Sequence, residues 1–379
     1  MRVMVVSGIW PPDVGGPASH APDVADFLHA RGHDVEVVTT AVAPPARREY
    51  QVHWISRGLP KGLIHLRTAA EIARRARAAD VVYTTGMFGR SWAGATAARR
   101  PYVLKLTADP AFERARRRSI VTGNVDEFQQ LGGGASVRAL RFARDVELRG
   151  AAHVFTPSAY LRELAVLWGV SPERVSVLPN PAPILPDFEP REALRRSFGM
   201  NTLTLAFAGR LTAQKSLGVA FEALAQVDDV VLLIAGEGDE RSHLEQRADE
   251  LGLGPRVRFL GPLPRDRVVA LFHAADASIL SSSWENFPHG VVEALAAGTP
   301  VLATAAGGVA EVVRDGENGL LVAPEDAAGL GQAIQRFAAD AGLRERLRAA
   351  AAPSVAAYAP ELVLARLEAT LLAAVRTVG

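Results

Sequence analysis

The sequence predicts an α/β protein made of two doubly wound, Rossmann-like domains, each built on a parallel β-sheet. Strand-like and helix-like segments alternate along the chain, which is typical of helices packed on parallel strands. The chain has 379 residues, enough for two domains, and 49% of them are hydrophobic, which argues against disorder. A proline-rich stretch at 179–186 separates two such series and indicates an interdomain linker.

The first series predicts an N-terminal domain at 1–180. Short runs of apolar and β-branched residues predict its strands at Val3–Ser7, Asp34–Thr39, Val81–Thr84, Tyr102–Leu106 and His153–Thr156. Helices are expected near 18–30 and 66–78. The polar segment Asp109–Gly134 shows little periodicity, so we expect it to be irregular.

The second series predicts a C-terminal domain at 181–359. Its strands are expected at Thr204–Ala208, Val230–Ala235, Val257–Leu260, Ala277–Leu280, Val301–Ala303 and Gly319–Val322. An amphipathic helix is expected at Pro360–Thr377.

Composition excludes several classes of function. The net charge is +1, and no basic block is interleaved with aromatic residues, so we expect no nucleic-acid partner. There is no cysteine, which excludes a disulfide framework and thiolate chemistry. The apolar run at the start is short and is followed by Trp10-Pro11-Pro12, so we expect no signal peptide and a cytoplasmic protein. The cationic run Arg114–Arg118 leaves peripheral contact with the inner membrane face open.

Two carboxylates, Glu285 and Glu293, lie eight positions apart on either side of a predicted helix start. Pro288 suits the first helical position, because its missing N–H would have no partner there. The start of a helix offers unpaired backbone N–H groups and the positive end of the helix dipole, which together bind anions. An anion flanked by two carboxylates fits a nucleoside diphosphate sugar, although this segment alone also fits a solvated surface helix.

A second segment places cations after a buried strand. Gly209 and Arg210 follow the strand at Thr204–Ala208, and Lys215 comes five positions later. Arg210 can make a forked contact with phosphate, and Lys215 supplies a compact charge. A basic turn before a surface helix is the alternative. The presence of the paired glutamates in the same half of the chain favours a pyrophosphate site at the carboxyl end of the sheet.

These motifs resemble those of the family-four retaining glycosyltransferases of the GT-B fold. The lead Ser282–Glu285 is part of the resemblance, which extends over nearly the whole chain. The opening Pro11–Pro17, followed by Arg31–Val37, is similar to the start of that family. Thr156–Tyr160 and then Val175–Pro181 resemble its domain junction.

The resemblance implies two domains that face each other across a cleft, the first on the acceptor side and the second binding the donor. A terminal helix at about 360–379 would pack back on the first domain. The implied reaction is hexosyl transfer, with retention, from a nucleoside diphosphate sugar to an acceptor hydroxyl. The acceptor would be a sugar, a lipid-linked molecule or a small molecule, in glycan, glycolipid or secondary-metabolite biosynthesis.

The candidate donor-binding residues lie in three loops. They are Gly15, Gly16, Gly209, Arg210, Lys215, Glu285, Phe287, Pro288, His289, Gly290 and Glu293. Arg210 and Lys215 would neutralise the leaving diphosphate in place of a metal. No metal-ligand spacing is visible, so we expect no metal and no cofactor besides the sugar nucleotide, which is a co-substrate.

The two glutamates receive different roles in this interpretation. Glu293 is assigned to the ribose hydroxyls. Glu285 is assigned to the donor sugar or to the positive charge that develops at its anomeric carbon, so it counts as a catalytic candidate together with Arg210 and Lys215. Both assignments follow from the resemblance and from the position of each residue relative to the helix start.

One departure from the family concerns the strand that precedes Asp109. Many family members carry a histidine there, whereas this chain continues Thr107-Ala108-Asp109-Pro110. Asp109 is the nearest polar substitute and a fourth catalytic candidate, able to orient a hydroxyl or to accept a proton. Capping of the helix that starts at Pro110 is an equal alternative.

Two other functions compete with sugar transfer. One is a sugar-nucleotide epimerase on the same fold, which would act on the donor without an acceptor. The other is a non-enzymatic, two-lobed sugar-binding protein. A donor-only assay distinguishes the first, and tight sugar binding without product would indicate the second.

Overall fold

The computed structural model describes residues 1–13, 16–121 and 123–376. The chain forms two compact units. The first unit contains Met1–Pro179 and Val363–Gly379, and the second unit contains Asn180–Leu362. The chain therefore passes from one unit to the other after Pro179 and again after Leu362.

The first unit contains a seven-stranded parallel sheet in the order β3-β2-β1-β4-β5-β6-β7. Its strands are β1 Arg2–Ser7, β2 Asp34–Ala41, β3 Gln51–Ser56, β4 Val81–Thr84, β5 Tyr102–Lys105, β6 His153–Thr156 and β7 Val175–Val177. The sequence predicted five of them and missed the two strands at the edges of the sheet, β3 and β7. Side chains of β3 are only half-buried, so this strand lacks the apolar run of a central strand.

Helices cover both faces of this sheet. They are α1 Gly16–Ala30, α2 Lys61–Ala76, α3 Phe88–Ala98, α4 Pro110–Arg117, α5 Val125–Gln130, α6 Ala135–Arg149 and α7 Ala159–Leu167. Because side chains alternate along a strand, Val5 of β1 packs with Leu28 of α1, while its neighbour Met4 packs with Ile72 of α2 on the other face. The central strands are therefore buried on both sides, as their continuous apolar sequences predicted.

The expectation of an irregular segment at Asp109–Gly134 was wrong for α4 and α5. Pro110 begins α4, and the Asp109 carboxylate caps it by accepting a hydrogen bond from the Ala111 N–H at 2.8 Å. Asn124 and Glu127 form a capping box at the start of α5. Capping signals, rather than hydrophobic periodicity, mark these two short helices.

The second unit contains a six-stranded parallel sheet in the order β10-β9-β8-β11-β12-β13. Its strands are β8 Leu203–Ala208, β9 Val230–Ala235, β10 Val257–Gly261, β11 Ala277–Leu280, β12 Val301–Thr304 and β13 Gly319–Val322. All six predicted strands are confirmed, with no end displaced by more than one residue. The strand order reverses between β8 and β11, and ligands of open α/β sheets bind beyond the carboxyl ends of strands at such a reversal.

Helices surround this sheet and close a single hydrophobic core. They are α8 Arg191–Ser197, α9 Leu217–Leu224, α10 Arg241–Glu250, α11 Arg265–Ala274, α12 His289–Ala296, α13 Ala327–Ala339 and α14 Ala341–Ser354. Phe207 of β8, Phe272 of α11 and Phe337 of α13 are almost completely buried in that core. The core holds β8 and β11 rigidly, and with them the loops that follow these strands.

The last helix, α15 Pro360–Arg376, contributes to the core of the first unit. Val363, Leu367 and Leu371 recur every four residues and are buried in the same cluster as β1. Its Glu368 carboxylate lies 2.7 Å from Nε2 of His33 and 3.3 Å from Nε of Arg31. Helix α15 is thus held by its apolar face and by the contacts of Glu368 with His33 and Arg31.

Candidate functional site

Two loops meet where the strand order of the second sheet reverses. One follows β8 and the other follows β11, and these two strands are paired through Ala277 and Leu205. A Cβ atom placed on Gly290, in the first turn of α12, would lie 3.4 Å from the carbonyl oxygen of Ala208, at the end of β8. The cationic motif and the paired glutamates therefore share one edge of the sheet.

The ion pair between Lys215 and Glu285 joins the two loops. Nζ of Lys215 contacts Oε1 of Glu285, and the Ser282 hydroxyl donates to the same oxygen at 2.7 Å. The two charged side chains are mostly buried, with 21% and 7% of their surface exposed. Since charge-assisted hydrogen bonds are strong and directional, this contact fixes both the ammonium and the carboxylate in place.

Backbone contacts hold the same two loops together. The Ser283 N–H donates to the Gln214 carbonyl at 3.0 Å, and the Gln214 amide donates to the Trp284 carbonyl at 2.9 Å. Behind the loop, a Cβ on Gly307 would lie only 2.1 Å from the Glu285 carbonyl oxygen, and Gly307 has a φ of 53°. Any side chain at Gly307 would push Glu285 out of position.

Glycines also allow the loop after β8 to pack on the loop after β9. The Gly209 N–H donates to the Ala235 carbonyl at 3.0 Å, and the Leu211 N–H donates to the Glu237 carbonyl at 2.9 Å. Gly236 has a φ of 142°, and a Cβ there would lie 1.9 Å from the Gly209 carbonyl oxygen. Gly209 is thus part of the frame of the cationic loop.

Arg210 stands apart from the Lys215–Glu285 contact. Its side chain is exposed, and it makes no ion pair with an acidic residue in the described part of the chain. It lies on the same loop as Lys215, but no contact joins it to Glu285 among these residues. The guanidinium is therefore accessible to an anionic ligand.

Helix α12 begins at His289, one residue later than predicted. Pro288 is the N-cap residue rather than the first helical residue, and proline has no side-chain group that could cap the helix. Its carbonyl accepts hydrogen bonds from the N–H groups of Val291 and Val292. Phe287 is buried in the hydrophobic core, so it holds the segment that leads into α12 in place. The His289 N–H also donates, to the Phe287 carbonyl at 3.1 Å, so the dipole of this eight-residue helix is what favours an anion at its start.

Glu293 lies inside α12, at the same end of the sheet. Its side chain is 22% exposed, and burial raises the pKa of its carboxyl group, while Arg265 at 3.8 Å lowers it by a smaller amount. A buried carboxylate is poorly solvated, so hydroxyl donors from a ligand would stabilise it. Raised pKa values of this kind are common at functional sites.

Three features near these residues received no ligand-binding role from the sequence, where Asn286 was expected only as a candidate cap of the helix. Oδ1 of Asn286 is buried and has no hydrogen-bond partner among the described residues, and Asn286 does not cap α12. Such an oxygen costs about 1–3 kcal/mol until a donor reaches it. Ser282, next to Ser283 and Trp284 in the family-like lead, was visible as a motif but without a role. Nothing in the local sequence links Arg265 to Glu293.

Asp109 lies in the first unit and is fully engaged in structural contacts. Oδ1 caps α4, and Oδ2 accepts from Nε2 of Gln129 at 3.1 Å and from Nη1 of Arg144 at 3.0 Å. The Arg144 guanidinium also lies 4.0 Å from the ring centroid of Trp168. Asp109 is 1% exposed. Of the two roles that the sequence left open, the cap is present at Oδ1, and Oδ2 is taken up by Gln129 and Arg144, so the catalytic role receives no support from these contacts.

The N-terminal glycines occupy a loop that is only partly described. Gly15 lies outside the described residues. Gly16 is the first residue of α1, which follows β1 at the carboxyl end of the first sheet. That position agrees with a ligand-facing loop but adds no contact to a ligand.

Metal-binding and membrane-spanning features can be assessed for residues 1–13, 16–121 and 123–376. These residues contain no group of three or more histidine, aspartate or glutamate side chains placed to hold a metal ion. They also form no helix that is both long and apolar enough to cross a membrane. In the cationic run at 114–118, Arg114 pairs with Glu147 at 2.9 Å, and the Arg116 guanidinium lies 5.9 Å from the ring centroid of Phe112.

Two family profiles match the chain, one for each half. The profile described as "Glycosyl transferase 4-like domain" matches residues 15–181, and the one described as "Glycosyl transferases group 1" matches residues 191–353. Together they cover every strand of the two sheets except β1.

Full-length relatives and a solved structure agree with these matches. The chain is 30% identical over 374 residues to the D-inositol 3-phosphate glycosyltransferase of Acidothermus cellulolyticus, covering 88% of this chain and 80% of that protein. It is 28% identical over 381 residues to the glycogen synthase of Mycobacterium tuberculosis, covering 92% and 89%. The crystal structure of Anabaena HepE in complex with UDP superposes with a TM-score of 0.80 at 22% identity, covering 98% of this chain and 100% of that one.

Proposed function

Because this chain belongs to the family-four glycosyltransferases and has their GT-B fold, we propose that its second unit binds a nucleoside diphosphate sugar and that the enzyme transfers the sugar to an acceptor hydroxyl with retention. The observation that carries the proposal is the Lys215–Glu285 ion pair beside the start of α12. It brings a cation, an acid and an anion-favouring helix end to the one place in the sheet where α/β proteins bind nucleotides.

The diphosphate would be held by positive groups on two neighbouring loops. Lys215 is fixed by Glu285, Arg210 is exposed on the same loop, and the dipole of α12 ends at Pro288. When the bond between the anomeric carbon and the phosphate oxygen breaks, negative charge grows on the nucleoside diphosphate. Preorganised positive charge stabilises that change without solvent reorganisation, which is how Lys215 would lower the barrier, and the exposed Arg210 would add its charge once the diphosphate is bound.

The two glutamates would recognise opposite ends of the donor. Glu293, with its raised pKa, would accept hydrogen bonds from the ribose hydroxyls. Glu285 has one oxygen occupied by Lys215 and Ser282. It would use its remaining lone pairs for the sugar hydroxyls or for the positive charge that develops at the anomeric carbon.

Retention would follow from attack on the same face from which the diphosphate leaves. The bond from the anomeric carbon to the phosphate oxygen breaks, the bond to the acceptor oxygen forms, and the acceptor proton passes to the departing phosphate. No covalent link to the protein is needed in this step. The anomeric configuration of the transferred sugar in the glycoside product, measured by proton NMR, tests it; an inverted product would contradict it.

The names of the relatives support the donor and acceptor classes. HepE is described in complex with UDP and with UDP-glucose, and the Acidothermus protein is named for transfer to D-inositol 3-phosphate. We therefore propose a hexosyl donor and an acceptor that is a sugar, a lipid-linked molecule or a small molecule, in a cytoplasmic reaction of glycan, glycolipid or secondary-metabolite synthesis. Peripheral contact with the inner membrane face would bring a lipid-linked acceptor within reach.

Transfer is proposed to need no metal, because Lys215 and Arg210 supply the positive charge that a divalent ion would otherwise provide. Activity should therefore survive dialysis against EDTA followed by assay in EDTA. A loss of activity that added Mg²⁺ or Mn²⁺ restores would show that a metal takes part.

Calorimetric titration with UDP, GDP and ADP, followed by assays with the matching sugar nucleotides, tests the function as a whole. We expect one nucleotide to bind and its sugar to appear on an acceptor from a panel of hydroxyl compounds. Conversion of the donor to its epimer without an acceptor would identify an epimerase. Tight binding of free sugar with no product from any donor would indicate a binding protein.

A further inference from the structure

The entry loop of α12, residues Phe287–His289, contacts both segments through which the chain enters and leaves the second unit. Asn180 is the first residue of that unit, and its amide nitrogen lies 3.0 Å from Nε2 of His289. Tyr358 lies four residues before Leu362, where the unit ends, and its ring centroid is 6.2 Å from that of Phe287. The loop proposed to bind the diphosphate is thus packed against both ends of the unit.

The two end segments are also bonded to each other. The Ala182 N–H donates to the Tyr358 carbonyl at 2.8 Å. The rings of Phe287 and His289 lie 5.7 Å apart in an edge-to-face arrangement. Asn180, His289, Phe287 and Tyr358 therefore form a continuous series of contacts, which we call the entry cluster.

The contact between Asn180 and His289 has a defined chemical direction. An amide N–H donates only to a ring nitrogen that carries no proton, so Nε2 is the acceptor and the neutral imidazole keeps its proton on Nδ1. Asn180 is 7% exposed, whereas His289 is exposed. A buried amide thus contacts an exposed ring and favours one of its two neutral tautomers.

We infer that Asn180 is a positioning residue for donor binding: acting through His289, it fixes the ring and the backbone at the first turn of α12. The inference rests on the proposed function, because the diphosphate is what that turn would bind. The diphosphate would lie at the positive end of the α12 dipole, and a shift of the entry loop by a fraction of an ångström would change the distance from that helix start to the phosphates.

Asn180→Ala and Asn180→Asp distinguish positioning from simple packing. Alanine removes the donor, while aspartate keeps the size but can only accept, which favours a proton on Nε2. We expect both variants to bind the nucleotide about tenfold more weakly by calorimetry, with a smaller change in kcat. Asn201→Ala, at an exposed asparagine of the same unit, is the matched control and should leave affinity unchanged. Normal affinity in Asn180→Ala would show that the contact with His289 does not matter for donor binding and would overturn the inference.

A double-mutant cycle tests whether Asn180 acts through His289. In a His289→Ala background, Asn180→Ala should change nucleotide affinity by no more than about twofold. Full additivity of the two losses would contradict the inference. Melting temperatures of all variants, measured without nucleotide, show whether any of them has lost its fold.

Ring ¹⁵N NMR of His289 gives a readout that does not depend on the donor. In the parent protein we expect the neutral form protonated at Nδ1. In Asn180→Asp we expect this form to be lost. If the parent protein shows this tautomer but binds no nucleotide, the proposed function fails. If it binds nucleotide and the variants bind equally well, only the role of Asn180 fails.

Discussion

At the scale of single residues, the site depends on charges that the protein holds in place before a ligand arrives. Without a partner, the Lys215 ammonium group would occupy its observed position only part of the time, because its side chain has several rotatable bonds. Glu285 removes that freedom, and Ser282 in turn orients Glu285. The ion pair is therefore better understood as a positioning device than as a source of stability, since pairs of this kind contribute little net free energy to folding.

Lys215→Ala should lower kcat about 10²-fold or more, because it removes positive charge from the leaving diphosphate. Steady-state kinetics at saturating donor measure the effect. Lys215→Arg keeps the charge but changes its shape and is expected to retain part of the activity. A kcat of Lys215→Ala close to that of the parent enzyme would exclude a role in charge neutralisation.

Glu293→Ala should chiefly weaken nucleotide binding, by about tenfold, because two hydroxyl donors of the ribose lose their acceptor. Calorimetry with the nucleotide alone measures it. Glu245→Ala, at an exposed glutamate of α10, is the control and should have no effect. Unchanged affinity in Glu293→Ala would remove this residue from the donor site.

At the scale of elements, the strands were predictable and several helices were not. The four inner strands of the second sheet are short apolar runs that are almost wholly buried, and this pattern depends only on neighbouring residues. Edge strand β3 lacks that pattern because it is half-exposed. Helices α4 and α5 are too short for a clear period, and their caps at Asp109 and Asn124 were the better signal.

The cap at Asp109 gives a prediction that separates stability from catalysis. Asp109→Ala removes the cap of α4 and one of the two carboxylate partners of the buried Arg144 guanidinium, which keeps Asp145 at 2.9 Å, so the free energy of unfolding should fall by about 2–4 kcal/mol. Asp109→Asn keeps an acceptor for the cap and should cost less. Denaturant unfolding measures both changes.

Nucleotide affinity supplies the complementary measurement for Asp109. It should be normal in whatever fraction of the variant remains folded, since Asp109 belongs to the first unit. A variant of full stability that has lost turnover would instead support the catalytic role that the sequence left open.

At the scale of the whole molecule, α15 ties the end of the chain to the core of the first unit. Its apolar face is buried with β1, and Glu368 contacts His33 and Arg31. Burial alone would raise the pKa of Glu368, but hydrogen bonds from His33 and Arg31 outweigh it, so the pKa lies below its ordinary value of 4.5. The N-terminal ammonium group of Met1 lies 3.4 Å from Nδ1 of His33 and completes the charged surroundings.

A lowered carboxyl pKa gives a defined dependence of stability on pH. The folded state holds the ionised form more strongly than the unfolded chain does, so the contribution of Glu368 is fully present above about pH 4.5 and is lost as the pH falls through the lowered pKa. Glu368→Gln should therefore melt below the parent protein at neutral pH, and the gap should close in acid. Thermal melts at pH 7 and at successively lower pH measure it, and a constant gap would contradict the assignment.

The sequence by itself determined the strands of the second sheet, the approximate start of α12 and the residue types of the donor motifs, because periodicity, turns and charge are local properties. Only the tertiary structure decided which of those residues meet. Lys215 and Glu285 are 70 positions apart, and Asn180 and His289 are 109 apart. Contacts over such distances depend on β8 and β11 being neighbours, and strand order arises from the packing of the entire sheet rather than from any local pattern. The same reason explains why Asp109 could not be assigned in advance: its capping partner is two residues away, but the arginine that holds it is 35 residues away.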